Sequence, residues 1–135
     1  MNSSEWPTIS VVTATFNSGK TLARCLAAVR EQDYPQEKIE ILLGDGGSTD
    51  STLEIARQQG ATVIRIPLPP EKQHAEYNRG VAFGQAKNEL VLILDHDNFL
   101  PNKTWLKDMV SPLLENPLMV ATETCYYQYL PQSGL

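Results

Sequence analysis

Apolar positions in this chain fall alternately into short continuous runs and into stripes of helical period. Residues 8–14 (TISVVTA) are β-branched and apolar and lead into TFNSGK, a cluster of turn and capping residues, which predicts a strand, a loop and a helix start in that order. From 19 to 32, Leu22, Cys25, Leu26 and Val29 recur at three- and four-residue spacing until Asp33, Tyr34 and Pro35 end the pattern. That spacing predicts a helix with one face on a sheet. A second strand is expected over 39–44, with GDGGSTD as its exit loop. Asp50 or Ser51 then caps a helix running to Gln59, and Gly60 is placed to end it. The unit repeats with a short strand over 61–66, a break at PLPPEK and a helix over 74–87. The run LVLIL from Leu90 stops abruptly at Asp95, and its unbroken apolar character predicts a strand buried on both faces. Pro101 and Asn102 open another helix with Trp105, Met109, Val110, Leu113 and Leu114 on one face, and 118–124 reads as a last strand.

Strands alternating with helices at this spacing predict an α/β fold, a mostly parallel sheet with right-handed crossovers and helices on both faces. A length of 135 residues fits one domain covering 1–135. A chain that stops soon after a strand leaves an open sheet edge, so the domain is expected to be incomplete on its C-terminal side and part of a longer protein. The net charge of −5 argues against nucleic acid as the main partner. No segment approaches the ~20 apolar residues of a membrane span, and MNSSEWPTIS lacks the regions of a signal peptide. The chain is therefore expected to be cytoplasmic, with membrane association left to later segments of a longer protein. Cys25, in an expected helix, and Cys125, in an expected strand, lack any metal-ligand spacing and read as two reduced structural thiols.

Candidate chemistry lies at the strand ends, because ligands of open α/β sheets collect outside the carboxyl ends of the strands. Asp95 and Asp97 in DHDN offer hard oxygen ligands to Mg²⁺ or Mn²⁺, which takes one or two protein carboxylates and completes its shell with phosphate and water. The plain alternative is a polar turn after a strand. His96 between the acids and His74 in KQHAEY read as an intervening residue and an exposed helical histidine rather than ligands, and Trp105 reads as core.

Taken together, TATFN, GDGGSTD and DHDN, each at the end of a predicted strand, resemble the nucleotide-binding half of family-2 glycosyltransferases, inverting enzymes of GT-A fold. The resemblance spans about residues 8 to 124. Against the family's T-x-[YF]-N, Phe16 and Asn17 match directly, and either Thr13 or Thr15 stands for the threonine, with Thr15 fitting the spacing better. Asp45 matches the first acid of D-D-G-S-T-D or D-G-G-S-T-D, while Gly46 stands where many members carry a second. The resemblance implies that Asp45 is a base or ribose ligand, since a carboxylate accepts from a base N–H or a ribose hydroxyl. Counting back from Glu89, Arg79 falls on the arginine of an R-N-x-G-I-x-x-A-x-G-E helix whose other positions are degenerate here. A planar guanidinium suits diphosphate, or can orient the metal loop. Asp95 and Asp97 match the D-x-D acids, Asp97 as the metal ligand and Asp95 as a ribose, metal or supporting ligand, with Asn98 supporting the loop.

The implied reaction moves a sugar from a nucleoside-diphosphate donor, UDP being the commonest, to a glycan, lipid or protein acceptor hydroxyl. Inversion also requires a general base, expected beyond Leu135, because Glu123 sits in no motif that marks it as that base. Tyr126, Tyr127 and Tyr129 either line an acceptor groove or pack against further chain. Two other classes stay open: a non-catalytic nucleotide-sugar-binding or assembly domain, and a sugar-1-phosphate nucleotidyltransferase. The latter is disfavoured because TATFNSGK is not glycine-rich, and a dinucleotide-binding dehydrogenase is weaker still because no strand is followed by G-x-G-x-x-G.

Overall fold

The computed structural model describes residues 5–124. Four parallel strands, β1 (Ile9–Thr15), β2 (Ile39–Asp45), β3 (Thr62–Arg65) and β4 (Leu90–Ile93), form one sheet in the order β3-β2-β1-β4. Helices α1 (Leu22–Arg30), α2 (Thr52–Gln58), α3 (Ala75–Phe83) and α4 (Trp105–Glu115) connect or follow them.

Strand alternation sorts the side chains into two layers. Ile9 and Val11 of β1 with Ile39, Ile41 and Leu43 of β2 join Leu22, Cys25, Leu26 and Val29 of α1 in the main core, which also takes in Ala56 of α2 and Leu106 and Val110 of α4. The opposite face is smaller: Val12 and Leu42 pack with Ala82 of α3, flanked by Ile64, Ala86 and Val91. Helices thus cover both faces of a parallel sheet, as expected. At Gly44 the backbone of α3 comes so close that an added Cβ would stand 2.1 Å from the Asn78 carbonyl oxygen.

The order of strands decides where a ligand can sit. The chain steps outward from β1 through β2 to β3, then crosses by α3 on the other face and inserts β4 on the far side of β1. Connections therefore diverge between β1 and β4, and their carboxyl ends open a crevice at that switch point.

Several expectations change. β4 is not buried on both faces: its only partner among the described strands is β1, and Ile93 is 48% exposed. Residues 118–124 form no strand, since a strand needs a ladder partner and this stretch has irregular backbone with Leu118 and Val120 almost fully exposed. Leu118 N–H and Met119 N–H donate to Asn116, and Thr122 Oγ1 donates to the Met109 carbonyl of α4 at 2.9 Å. α3 ends at Phe83 rather than 87. α4 begins at Trp105 rather than 101, because Asn102 Oδ1 accepts from Thr104 N–H and the Gln32 side chain accepts from Leu106 N–H, capping the first turn. On α4 the buried residues are Leu106 and Val110, while Leu114 is exposed. Trp105 packs against the main core. Cys125, Tyr126, Tyr127 and Tyr129 lie outside the described residues.

Candidate functional site

The first two loops are sewn together by side chains that satisfy backbone donors. Asn17, in the left-handed region at φ 47°, accepts from Thr49 N–H through Oδ1 at 2.8 Å, and its own N–H donates to Ser48 Oγ at 2.8 Å. One residue on, Ser18 N–H donates to Thr52 Oγ1 and Gly19 N–H to Asp50 Oδ2. The hydroxyl and N–H of Thr52 also hold the Asp50 carboxyl below its ordinary range. Thr15 and Asp45 end their strands side by side. Asp45 accepts from Thr15 Oγ1 at 2.9 Å, Gly47 N–H at 2.9 Å, Ser48 N–H at 2.8 Å and Ser48 Oγ at 2.6 Å. It is buried, and its role in this geometry is to hold the second loop against the first.

The third loop follows β4 and is closed by Asn98, whose Oδ1 accepts from Asp95 N–H while its N–H donates to the Asp95 carbonyl. Arg79 of α3 reaches this loop and pairs through Nη2 with Asp95 Oδ1. Among the described residues, the guanidinium Nε is buried without a hydrogen-bond partner. Asp97 is exposed, and His96 Nδ1 lies 2.9 Å from Thr21 Oγ1. Beneath the loop, the Cys25 thiol donates to the Asp95 carbonyl at 3.4 Å; burial first, and the nearby Asp97 and Asp95 charges second, push that thiol up to about 11.

Between the loops lies a cleft of about 340 Å³, with Phe16, Gly46, Gln73, His74, Asn78 and His96 in its wall. Phe16 is 61% exposed there. Of the residues expected from sequence, Thr15 and Phe16 line the cleft, Asn17 and Asp45 hold the first two loops together, Asp95 and Asp97 lie in the third loop, and Arg79 reaches it from α3. Thr13 is wholly buried with its hydroxyl on the Ala14 carbonyl, so it presents no atom to the cleft. His74 is the N-cap of α3, its Nδ1 accepting from Tyr77 N–H at 3.2 Å.

Sequence reasoning missed Gln73 and Asn78. Asn78 is buried and donates from Nδ2 to Gln73 Oε1 at 3.2 Å. A polar pair flanking a predicted helix start is the only signal the sequence carries for them.

Among the described residues, no group of three or more His, Cys, Asp or Glu is placed to hold a metal ion. Asp95 and Asp97 nonetheless suit Mg²⁺ or Mn²⁺, because both are exposed carboxylates and such ions use few protein ligands beside phosphate oxygens. Among the described residues, no helix is long and apolar enough to cross a membrane.

Comparison with known proteins places this geometry in context. The model of "Glycosyl transferase family 2" matches residues 10–131. Glycosyltransferase AglE of Haloferax volcanii is 34% identical over 109 residues, 79% of this chain and 36% of AglE. The crystal structure of S. aureus TarS 1-349 in complex with UDP superposes with a TM-score of 0.68 at 32% identity, over 80% of this chain and 32% of that one. The mannosyltransferase PcManGT from Pyrobaculum calidifontis in complex with GDP-Man and Mn²⁺ gives a TM-score of 0.64 at 26% identity, over 75% of this chain and 30% of that one. This chain thus spans about a third of the length of these relatives. With the family model matching nearly its whole length and three loops gathered at the carboxyl ends of a parallel sheet, the chain belongs to glycosyl transferase family 2.

Proposed function

We propose that residues 1–135 form the donor-binding part of an inverting sugar transferase, which holds a nucleoside-diphosphate sugar, UDP-linked in the first instance, for transfer to an acceptor hydroxyl. The observation that carries this reading is the cleft between the loops after β1, β2 and β4, lined by Phe16, Gly46, Asn78 and His96, with the Arg79–Asp95 pair on the residues next to Asn78 and His96. TarS and PcManGT, solved with UDP and with GDP-Man and Mn²⁺ respectively, support a nucleoside-diphosphate ligand.

In this reading the exposed Phe16 ring offers a flat apolar face to the base. Thr15, Asn17 and Asp45 keep the two nucleoside-facing loops in register, through hydrogen bonds already made within the protein. Arg79 reaches from α3 to the third loop, its side chain is partly exposed, and its charge favours the diphosphate. Asp97, with Asp95, would hold Mg²⁺ or Mn²⁺; such an ion, when bound, supplies charge neutralisation to the departing nucleoside diphosphate. Inversion needs a base on the far side of the sugar to take the acceptor proton, and no described residue is assigned that role.

Calorimetric titration of UDP and GDP into the chain, with Mn²⁺ or with chelator, tests the proposal. Binding that needs Mn²⁺ and is lost in Asp97→Ala is expected. Absence of binding by folded protein would overturn it.

A further inference from the structure

Helix α1 packs on the sheet through Leu22, Leu26 and Val29, and a second stripe runs beside that one. Thr21, its N-cap, with Arg24 and Cys25 stand at the three- and four-residue spacing of a single helix face. All three meet the loop after β4. Thr21 Oγ1 lies 2.9 Å from His96 Nδ1, and the Arg24 guanidinium carbon stands 3.8 Å from the centroid of the Phe99 ring. The Cys25 thiol donates to the Asp95 carbonyl between them.

The far end of the same loop is anchored separately. Gln32, just past α1, donates from Nε2 to the Asn102 carbonyl at 2.7 Å and accepts from Leu106 N–H at 2.9 Å, while Asp33 N–H donates to the Lys103 carbonyl at 2.7 Å. These bonds dock the start of α4, and Gln32 is buried among them. Residues 95–99 depend on other contacts. Arg79 holds Asp95 from the α3 side, and Thr21, Arg24 and Cys25 hold the loop from the α1 side.

Asp97 sits between the two side chains that α1 grips. Its side chain is exposed, so the carboxylate stands where the backbone on either side puts it. That backbone is fastened one residue before, at His96, and two residues after, at Phe99. Thr21 extends the restraint further, because its hydroxyl donates to the Ser18 carbonyl at 3.3 Å and Ser18 N–H donates to Thr52. The third loop is thereby tied to the first two.

We propose that Thr21 and Arg24 are positioning residues for the divalent cation of the donor site, which by gripping His96 and Phe99 preset the loop that carries the Asp97 carboxylate. Each acts through its partner in the loop rather than as a ligand. A loop already ordered pays less on binding than one that must be ordered by the ligand, so loosening either grip raises the cation concentration the site needs. This inference rests on the donor-binding reading above.

The test is titration of Mn²⁺ at a fixed excess of UDP or of GDP, read from the electron paramagnetic resonance signal of free Mn²⁺, with melting temperature measured on the same samples. Thr21→Val raises the Mn²⁺ concentration for half-saturation roughly threefold to tenfold, the worth of one hydrogen bond, while Thr21→Ser keeps the hydroxyl and stays within about twofold of wild type. Arg24→Gln raises it about twofold to fivefold, as for an exposed cation–π contact, and Phe99→Leu matches it by removing the ring. Excess Mn²⁺ brings each variant back to full occupancy. If Thr21→Val does not fold, Arg24→Gln and Phe99→Leu carry the measurement. An unchanged Mn²⁺ requirement in the folded variants, or a serine as poor as the valine, overturns the positioning role. A folded wild type that takes up no Mn²⁺ with either nucleotide overturns the donor-binding reading itself.

Discussion

The hydroxyl of Thr15 donates to Asp45 Oδ1 at 2.9 Å, across the last rung of the parallel pair β1–β2. This contact joins the exit points of two strands, alongside the bonds that Asn17, Ser18 and Gly19 make to the second loop, and it does so inside the protein, where both residues are buried. Asp45 passes the restraint on to Gly47 and Ser48, and Ser48 passes it back to Asn17. This side of the cleft is thus organised by the protein's own hydrogen bonds.

Asp45→Asn tests that organisation. An amide nitrogen at the Oδ2 position would face the Gly47 and Ser48 N–H donors, and in the other orientation the Thr15 and Ser48 hydroxyls would have to turn and accept. A loss of about 1–3 kcal/mol is expected, as for other buried groups left unpaired, and Asp45→Ala should cost a similar amount. Urea denaturation of the two variants measures it; a change within about 0.5 kcal/mol, the size of an ordinary surface substitution, would mean the loop is held otherwise.

Arg79 and Asp95 should behave differently. The side chains are 25% and 54% exposed, so solvent screens the pair and Arg79→Ala should change stability by no more than about 1 kcal/mol. Binding of a nucleoside diphosphate should fall at least tenfold, roughly the worth of a hydrogen bond to a charged group. Arg79→Lys restores charge without the planar fork and should recover only part of it. Affinity and melting temperature, measured on the same samples, separate the two effects.

Gly44→Ala probes the packing of α3. Its Cβ would meet backbone, at 2.1 Å from the Asn78 carbonyl oxygen and 2.8 Å from its carbon, so α3 must move away from β2. Overpacking of this kind costs about 1–3 kcal/mol, and the displaced Asn78 should weaken nucleotide binding as well. Chemical denaturation and titration of the variant check both; unchanged affinity would show that the helix can shift without disturbing the cleft.

Alkaline pH should unfold the protein by way of two buried groups. Burial, with the Asp97 and Asp95 charges, raises Cys25 from 9.0 to about 11, and burial, with Glu89, raises Tyr34 from 10.0 to about 12. The unfolded chain therefore releases these protons first. Their contribution is complete below pH 9 and is lost as pH climbs toward 12. Cys25→Ala should flatten the fall between pH 9 and 11, and Tyr34→Phe the part between 10 and 12, although the latter also gives up the hydroxyl bond to the Pro7 carbonyl. Stability measured by denaturant titration across this range reads the slope directly.

Alternation of strand and helix, the parallel character of the sheet and the three polar loops at strand ends were legible in the sequence, because each depends on residues close together in the chain. β-Branched runs, three- and four-residue apolar spacing, and Asn, Gly, Ser and Asp at the exits act locally, whatever the rest of the molecule does. Only the tertiary structure decided what depends on residues far apart. Among the described residues, it set β4 beside β1 at an edge, where LVLI is half exposed rather than buried, and it gave 118–124 no ladder partner. It also tied Asp45 to Thr15, Gly47 and Ser48 and brought the amides of Gln73 and Asn78 to the gap at Gly46. The reason is that a motif specifies which groups a loop carries, whereas the capacity of those groups to bind anything depends on the partners that folding gives them.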